Sequence, residues 1–161
     1  MKIYRRIYNY LNNLSDYWYI VIMVILVCFI DVLIGMLAII FNINFNGPKF
    51  DISPIAMLIL AGIVGPILET YLFQVVLLYL LSKINYLNNN KILLIIIASM
   101  IFGIGHHYSF SYIIFGFLAG LIFNYSYLIY KNKTMSSFAI VLSIHSIYNI
   151  IMIVLHYLFI K

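Results

Sequence analysis

Six ionisable side chains lie within or beside the long apolar stretches of this 161-residue chain, and their types could do chemistry. They are Asp31, Glu69, His106, His107, His145 and His156. Glu69 is the only glutamate in the sequence. An Asp, Lys or Arg at the centre of a membrane helix costs roughly 2.5–3.5 kcal/mol, so ionisable residues persist there when they face a cavity or a partner. Glu69 is therefore the first candidate for a functional residue.

Glu69, His106 and His145 are predicted to lie at comparable depths in a membrane. Counted from the ends of their apolar stretches, these depths are about 20, 22 and 14 Å at the rise of an α-helix, and helix tilt absorbs such differences. His145 and Asn149 are four residues apart and share one helix face. His106 and His107 point about 100° apart, so only one of them can easily join the cluster. The predicted site is therefore Glu69, His106, His145 and Asn149.

These residue types favour hydrolysis of an amide. A carboxylate beside imidazoles in a cavity of low dielectric can hold a water molecule and accept its proton. An imidazole and an amide spaced i, i+4 can both donate to one oxygen, which suits the oxyanion that develops at a peptide carbonyl. His, His and Glu also form a known zinc set, and such groups can relay protons in a transporter. The residues alone leave these alternatives open.

Five apolar stretches predict membrane spans, each of which needs roughly 20 residues. They cover residues 17–41, 52–81, 92–107, 111–130 and 136–160, of which the third is short. Helices are expected because a helix satisfies its own backbone hydrogen bonds in lipid. The sequence therefore predicts an all-α, polytopic transmembrane helix bundle of about five spans. One membrane-embedded domain is expected over residues 17–161.

Composition and charge support this class and its placement. Hydrophobic residues make up 66% of the chain and charged residues 8%, against about 45–50% and 25% in soluble domains. Soluble enzymes and nucleic-acid binders are therefore disfavoured. A cytoplasmic amino terminus places seven of the nine Lys and Arg residues inside, and only Lys49 and Lys161 outside. We expect an integral, multi-pass protein of the cell membrane with this orientation.

Other features are expected to serve membrane placement and packing. Residues 1–16 are basic with interleaved apolar side chains, which fits either a short amphipathic helix on the inner leaflet or a basic start that only sets topology. Aromatic residues near the span ends are predicted to be interface anchors, namely Tyr17, Trp18, Tyr19, Tyr108 and Tyr130. Gly116 and Gly120 predict a close helix contact in the fourth span.

Three short motifs follow one another on separate spans. They are E-T-x-x-x-Q starting at Glu69, F-x-x-x-H ending at His106, and H-x-x-x-N starting at His145. This order resembles the CPBP family of intramembrane proteases, also called Abi proteins, which includes the type II CAAX prenyl proteases. That family shows E-E-x-x-x-R, then F-x-x-x-H, then H-x-x-x-N/D. The second and third motifs match fully.

The resemblance implies a role for each matched residue. Glu69 matches the glutamate that activates the water, and His106 matches the histidine that works with it. His145 and Asn149 match the pair assigned to the oxyanion site. The resemblance also implies a water activated without a bound metal, so no cofactor is expected, although the residue types are compatible with zinc.

The first motif departs from the family at two positions. Thr70 stands in place of the second Glu and Gln74 in place of the Arg. The resulting hypothesis is an intramembrane endopeptidase that cleaves a membrane-associated peptide or protein. The departures motivate an alternative, a non-catalytic bacteriocin self-immunity or peptide-binding membrane protein. The expected partners are membrane lipid and a peptide or small-protein substrate, without nucleic acid, and the oligomeric state is left open. Asp31 is a candidate stand-in for the missing polar partner.

Overall fold

The computed structural model describes residues 2–48, 52–133 and 135–159, and these residues form seven helices and no strand. One 3₁₀ turn, Tyr130–Asn132, precedes the last helix. The helices are α1 (Lys2–Asn13), α2 (Asp16–Ile40), α3 (Pro54–Ser82), α4 (Asn85–Asn89), α5 (Lys91–Gly105), α6 (Phe110–Ile129) and α7 (Ser137–Phe159). The predicted all-α class is confirmed.

Four helices are long and apolar enough to cross a bilayer: α2, α3, α6 and α7, with 25, 29, 20 and 23 residues. The predicted short third span corresponds to α5, an apolar helix of 15 residues that ends at Gly105 rather than near residue 107. The polytopic helical bundle is thereby confirmed. Lys49 and Lys161, which the orientation places outside, lie outside the described residues, as does the last residue of the fifth predicted span.

Local capping explains where several of these helices begin. Ser53 accepts a hydrogen bond from the backbone of α3 and precedes a proline at the first helical position. Asn90 caps α5, and Ser109 caps α6. Ser136 accepts from the first turn of α7 in the same way. Short polar residues between apolar stretches therefore set the starts of the four helices that carry the site.

The helix α3 is continuous but contains two π-helical segments, Leu60–Val64 and Thr70–Leu77. The short α-helical piece between them, Gly65–Glu69, has Pro66 as its second residue and ends at Glu69. Proline has no backbone N–H and disturbs the hydrogen-bond ladder of a helix interior. Single turns of π-helix are frequent at functional sites. Glu69 therefore lies on the most irregular part of the bundle.

The largest core cluster joins α2, α6, α7 and the end of α5. It includes Tyr19, Val27, Phe102, Phe123, Ile140 and Ile144, each almost fully buried. Many large apolar side chains point outward instead, as Ile39 does on α2 with 82% of its surface exposed. Exposure of this kind suits a surface that faces lipid.

The helices α5 and α6 approach each other closely through glycines. A Cβ built on Gly103 would lie 2.8 Å from the carbonyl oxygen of Ile113. A Cβ on Gly116 would lie 3.2 Å from the Cβ of His106, and one on Gly120 would lie 3.2 Å from Ser99. The predicted contact face at Gly116 and Gly120 is confirmed. It holds His106 against α6.

The prediction of interface anchors is wrong for two of the five aromatic residues. Tyr17 and Trp18 are exposed, as is Tyr108, but Tyr19 and Tyr130 are almost fully buried. The rings of Tyr19 and Tyr130 pack edge to face at 4.8 Å, and the Tyr19 hydroxyl donates to Ser126 at 3.0 Å. Residues near span ends can be enclosed by the neighbouring helices, which a single-sequence pattern does not show.

Candidate active site

The Glu69 carboxylate faces two histidines from two other parts of the bundle. Its Oε2 atom lies 3.5 Å from Nε2 of His106 and 3.6 Å from Nε2 of His145. Glu69 comes from α3, His106 from the residue that ends α5, and His145 from α7. The Glu69 side chain keeps 35% of its surface exposed, whereas those of His106 and His145 keep 16% and 6%. The three groups expected to meet are therefore adjacent at the edge of a cavity.

A backbone hydrogen bond sets the tautomer of His106. Its Nδ1 atom lies 2.8 Å from the carbonyl oxygen of Phe102. A carbonyl can only accept, so Nδ1 carries a proton, and Nε2 of the neutral ring is left as an acceptor. That Nε2 faces Glu69. This bond, together with the Phe102 ring at 4.4 Å, explains the i, i+4 spacing of Phe102 and His106.

His145 is held by aromatic packing rather than by a hydrogen bond. Its ring stacks on Phe123 with 4.7 Å between centroids, and Phe102 meets it edge to face at 6.2 Å. Its Nδ1 atom is buried without a hydrogen-bond partner among the described residues. The polar edge that serves the site is therefore Nε2, which points at Glu69.

Asn149 lines the same cavity as Glu69, but its hydrogen bond goes to the backbone of α3. Its Nδ2 atom donates to the carbonyl of Ala61 at 2.8 Å. In the first π-helical segment Gly65 N–H donates to the residue five positions earlier, Leu60. The next bond with the same spacing would run from the N–H of residue 66 to the carbonyl of Ala61. Residue 66 is a proline and has no N–H. Asn149 supplies the missing donor, and its second N–H is left for another acceptor.

Two neighbouring, partly open cavities of about 200 and 820 Å³ lie between the helices. The smaller is lined by all four predicted site residues: Glu69, His106, His145 and Asn149. Both cavities share the side of the bundle formed by Pro48, Ala61, Tyr112, Tyr148 and Asn149. The larger cavity therefore lies next to the site, with a shared wall between the two.

Thr70 and Gln74 are fully buried and point away from the site, because neither lines the smaller cavity. Gln74 Nε2 donates to Asn124 at 3.5 Å, and Asn124 Nδ2 donates to Ser99 at 3.0 Å. The Ser99 hydroxyl donates to the carbonyl of Ile95 at 2.7 Å. Gln74 thus joins α3 to α5 and α6 through neutral groups, whereas the buried Thr70 hydroxyl has no hydrogen-bond partner among the described residues.

The remaining candidates lie apart from Glu69. His107 is exposed and stacks against Tyr108, so His106 is the histidine of the pair that reaches the site. Asp31 and His156 line the larger cavity instead. Sequence reasoning missed Ala61 and Tyr112, which line both cavities. The Gly65–Pro66 pair, which follows Ala61 on the same helix, is the sequence feature that could have pointed to Ala61.

The geometry also tests whether these residues suit a resident metal. Among the described residues, no group of three or more His, Cys, Asp or Glu side chains is arranged so that it could hold a metal ion. The three ionisable groups of the site contact one another directly through a single oxygen atom of Glu69. The expectation of a cofactor-free site stays a prediction.

Comparison with known protein families identifies a relationship for most of the chain. A family model described as Rce1-like, type II CAAX prenyl endopeptidase Rce1-like, matches residues 51–151. This range contains all three motifs and all four predicted site residues. No curated protein and no solved structure matches the chain significantly.

Proposed function

The chain belongs to the Rce1-like family of type II CAAX prenyl endopeptidases, and from this membership we propose that it hydrolyses a peptide bond by a water that Glu69 activates. The substrate class is a membrane-associated peptide or protein precursor. The bundle is an integral, multi-pass one, so such a substrate reaches the cavity from the lipid or its surface.

One observation carries the mechanism: the Glu69 carboxylate lies 3.5 Å from Nε2 of His106, whose Nδ1 is bonded to the carbonyl of Phe102. The bond to Phe102 leaves the neutral His106 ring with a bare Nε2 toward the Glu69 carboxylate. Two acceptors repel unless a proton lies between them. The Oε2 atom that faces His106 is buried, so the carboxylate oxygen left for a water molecule in the cavity is Oε1. Glu69 and His106 can therefore orient a water molecule and take its proton.

The proposed reaction balances without a further reactant. The water oxygen forms a bond to the peptide carbonyl carbon while one proton passes to Glu69. His145 Nε2–H and the second N–H of Asn149 donate to the oxyanion that develops. The C–N bond then breaks, and Glu69 returns its proton to the leaving amine. Glu69 thus acts first as base and then as acid, with His106 orienting the water.

The experiment that tests this proposal compares the peptides cleaved by cells that express the wild type or Glu69→Gln. Glutamine keeps the size of the side chain but accepts no proton from water. We expect cleavage products to disappear in Glu69→Gln while the protein still inserts at the wild-type level. Leu68→Ala is the matched control, because Leu68 is the neighbouring residue and is 56% exposed. Full cleavage by Glu69→Gln would reject the mechanism.

A second candidate function is supported by Thr70 and Gln74. A chain that lacks the second glutamate and the arginine of the first motif could bind a peptide without cutting it, as a bacteriocin self-immunity protein would. Protection of cells against a toxin peptide that persists in Glu69→Ala would favour binding. Protection that is lost together with cleavage would favour catalysis.

The orientation of the chain is part of the proposal. The excess of Lys and Arg on alternate loops supports a cytoplasmic amino terminus. Reporter fusions at the two ends test it: with five crossings, a fluorescent reporter at the amino terminus and a periplasmic or extracellular reporter at the carboxyl terminus are expected to be active. The reverse activities would overturn this orientation.

A further inference from the structure

Asp31 is a buried carboxylate that the mechanism does not use. It lies on α2, keeps 8% of its surface exposed and lines the cavity of about 820 Å³. Its hydrogen-bond partner is Tyr148, which lines both cavities. The position of Asp31 therefore connects the larger cavity to the site at Glu69 through one tyrosine.

Few basic side chains face this carboxylate among the described residues of the larger cavity. The described residues that line it include no Lys or Arg, and His156 is the only histidine among them. Its walls are largely apolar, with Phe45, Met57, Met152 and Ile153 among them. An ionised carboxylate in such surroundings is costly unless an opposite charge pairs with it. One tyrosine hydroxyl satisfies part of the carboxylate and leaves acceptor sites for a ligand.

The size and position of the cavity suit a bound peptide. A volume of about 820 Å³ lies within the range of about 300–1,000 Å³ that is usual for ligand pockets. The cavity adjoins the smaller one at Ala61, Tyr112 and Asn149, so a peptide bound in it would lie beside the site that contains Glu69. The apolar walls favour apolar side chains of the peptide. The carboxylate of Asp31 favours a positively charged group over a negatively charged one.

We propose that Asp31 is a specificity-determining residue that binds a cationic group of an otherwise apolar peptide substrate. The cation is the side chain of Lys or Arg or a free amino terminus, placed a few residues from the bond that lies at Glu69. This inference rests on the proposed function, which makes the bound peptide a substrate. Binding of the peptide at Asp31 does not itself require cleavage. A free carboxylate or an acidic side chain in the larger cavity is disfavoured by repulsion from Asp31.

The test measures peptide binding to the purified, membrane-reconstituted Glu69→Gln protein. The probes are acetylated and amidated Leu–Ala peptides with a single lysine at each position in turn, each matched by norleucine at that position. We expect at least one lysine peptide to bind about tenfold or more tightly than its match, the size of a charge-assisted hydrogen bond. Asp31→Asn is expected to remove this ratio. A norleucine peptide with a free amino terminus carries no cationic side chain. Its binding therefore shows whether Asp31 recognises an amino terminus rather than a lysine side chain.

Controls keep the inference falsifiable. Val32→Ala is the matched control, because Val32 is the next residue on α2 and is 57% exposed; it is expected to keep the ratio. If Asp31→Asn does not fold, Asp31→Glu is expected to keep the lysine preference but shift it along the peptide. Equal binding of every matched pair overturns the proposal, as does a lysine preference that Asp31→Asn leaves intact. Cleavage that survives Glu69→Gln would overturn the proposed function alone.

Discussion

The side-chain amide of Asn149 donates to the backbone carbonyl of Ala61 at 2.8 Å, across 88 residues of chain. Pro66 cannot serve that carbonyl in the π-helical register, so a residue of α7 completes a hydrogen bond of α3. This bond fixes the helix that carries Glu69 against the helix that carries His145. Asn149 therefore has a positioning role that is separate from its proposed role at the oxyanion.

The positioning role of Asn149 predicts coupling with Pro66. Asn149→Ala leaves the Ala61 carbonyl without a donor and is expected to lower the free energy of unfolding by about 1–3 kcal/mol. In the Pro66→Ala background a backbone N–H is again present, so the same substitution is expected to cost less. Denaturation in detergent, followed by circular dichroism, gives the four values of the double-mutant cycle. An equal cost in both backgrounds would contradict this account.

The tautomer of His106 predicts different effects for two amide substitutions. Asn places its N–H where Nδ1 is, so His106→Asn keeps the bond to Phe102 but removes the acceptor toward Glu69. Cleavage is expected to fall about a hundredfold or more, with little loss of thermal stability. Gln places a polar atom where Nε2 is, so His106→Gln is expected to retain more activity and to lose more stability. The opposite ranking would show that the Phe102 bond is not what aligns the ring.

The glycine contact between α5 and α6 predicts a sharp difference between neighbouring glycines. A Cβ on Gly103 meets backbone atoms of Ile113 and Phe117 at 2.8 Å, whereas a Cβ on Gly105 meets a Phe73 ring carbon at 3.4 Å. Gly103→Ala is expected to destabilise the protein by about 1–3 kcal/mol and to reduce cleavage, since His106 ends the same helix. Gly105→Ala is the control and should unfold near the wild-type temperature. Similar melting temperatures for both variants would refute the close packing.

The buried positions of Thr70 and Gln74 predict that charges are tolerated there only as a pair. Thr70→Glu or Gln74→Arg alone buries an unpaired charge and is expected to destabilise by about 3–5 kcal/mol. The double variant places the two charges i, i+4 on one helix and should recover part of that loss. Thermal unfolding of the three variants measures this coupling. Additive losses in the double variant would argue against pairing, and its cleavage rate would show whether the two departures limit activity.

Much of the site was predictable because helix geometry is local. The spacing of apolar residues predicts each span, and the constant rise of a helix converts positions along the chain into depths. Helix depth predicts that Glu69, His106 and His145 can meet, and the structure places both imidazoles within 3.6 Å of the Glu69 carboxylate. Their catalytic roles stay predictions, as do the absence of a cofactor and the orientation of the chain.

Other features depend on which helices become neighbours, which the spacing of residues on one helix does not specify. Tyr19 and Tyr130 have the sequence position of interface anchors, yet two helices enclose them. Asp31 has about the depth of Glu69 but lines the larger cavity rather than the site. Rotation of a helix about its axis is decided by packing over its whole length.

The sequence by itself determined a helical membrane protein in which Glu69 and two imidazoles lie at comparable depths, because hydrophobicity and helical rise act residue by residue. Only the tertiary structure decided that the acceptor of His106 faces Glu69 and that Asn149 serves the Ala61 carbonyl. Only it placed Asp31 beside the larger cavity. These relationships join atoms from different helices, and the free energy that selects them belongs to contacts between helices rather than to any one segment.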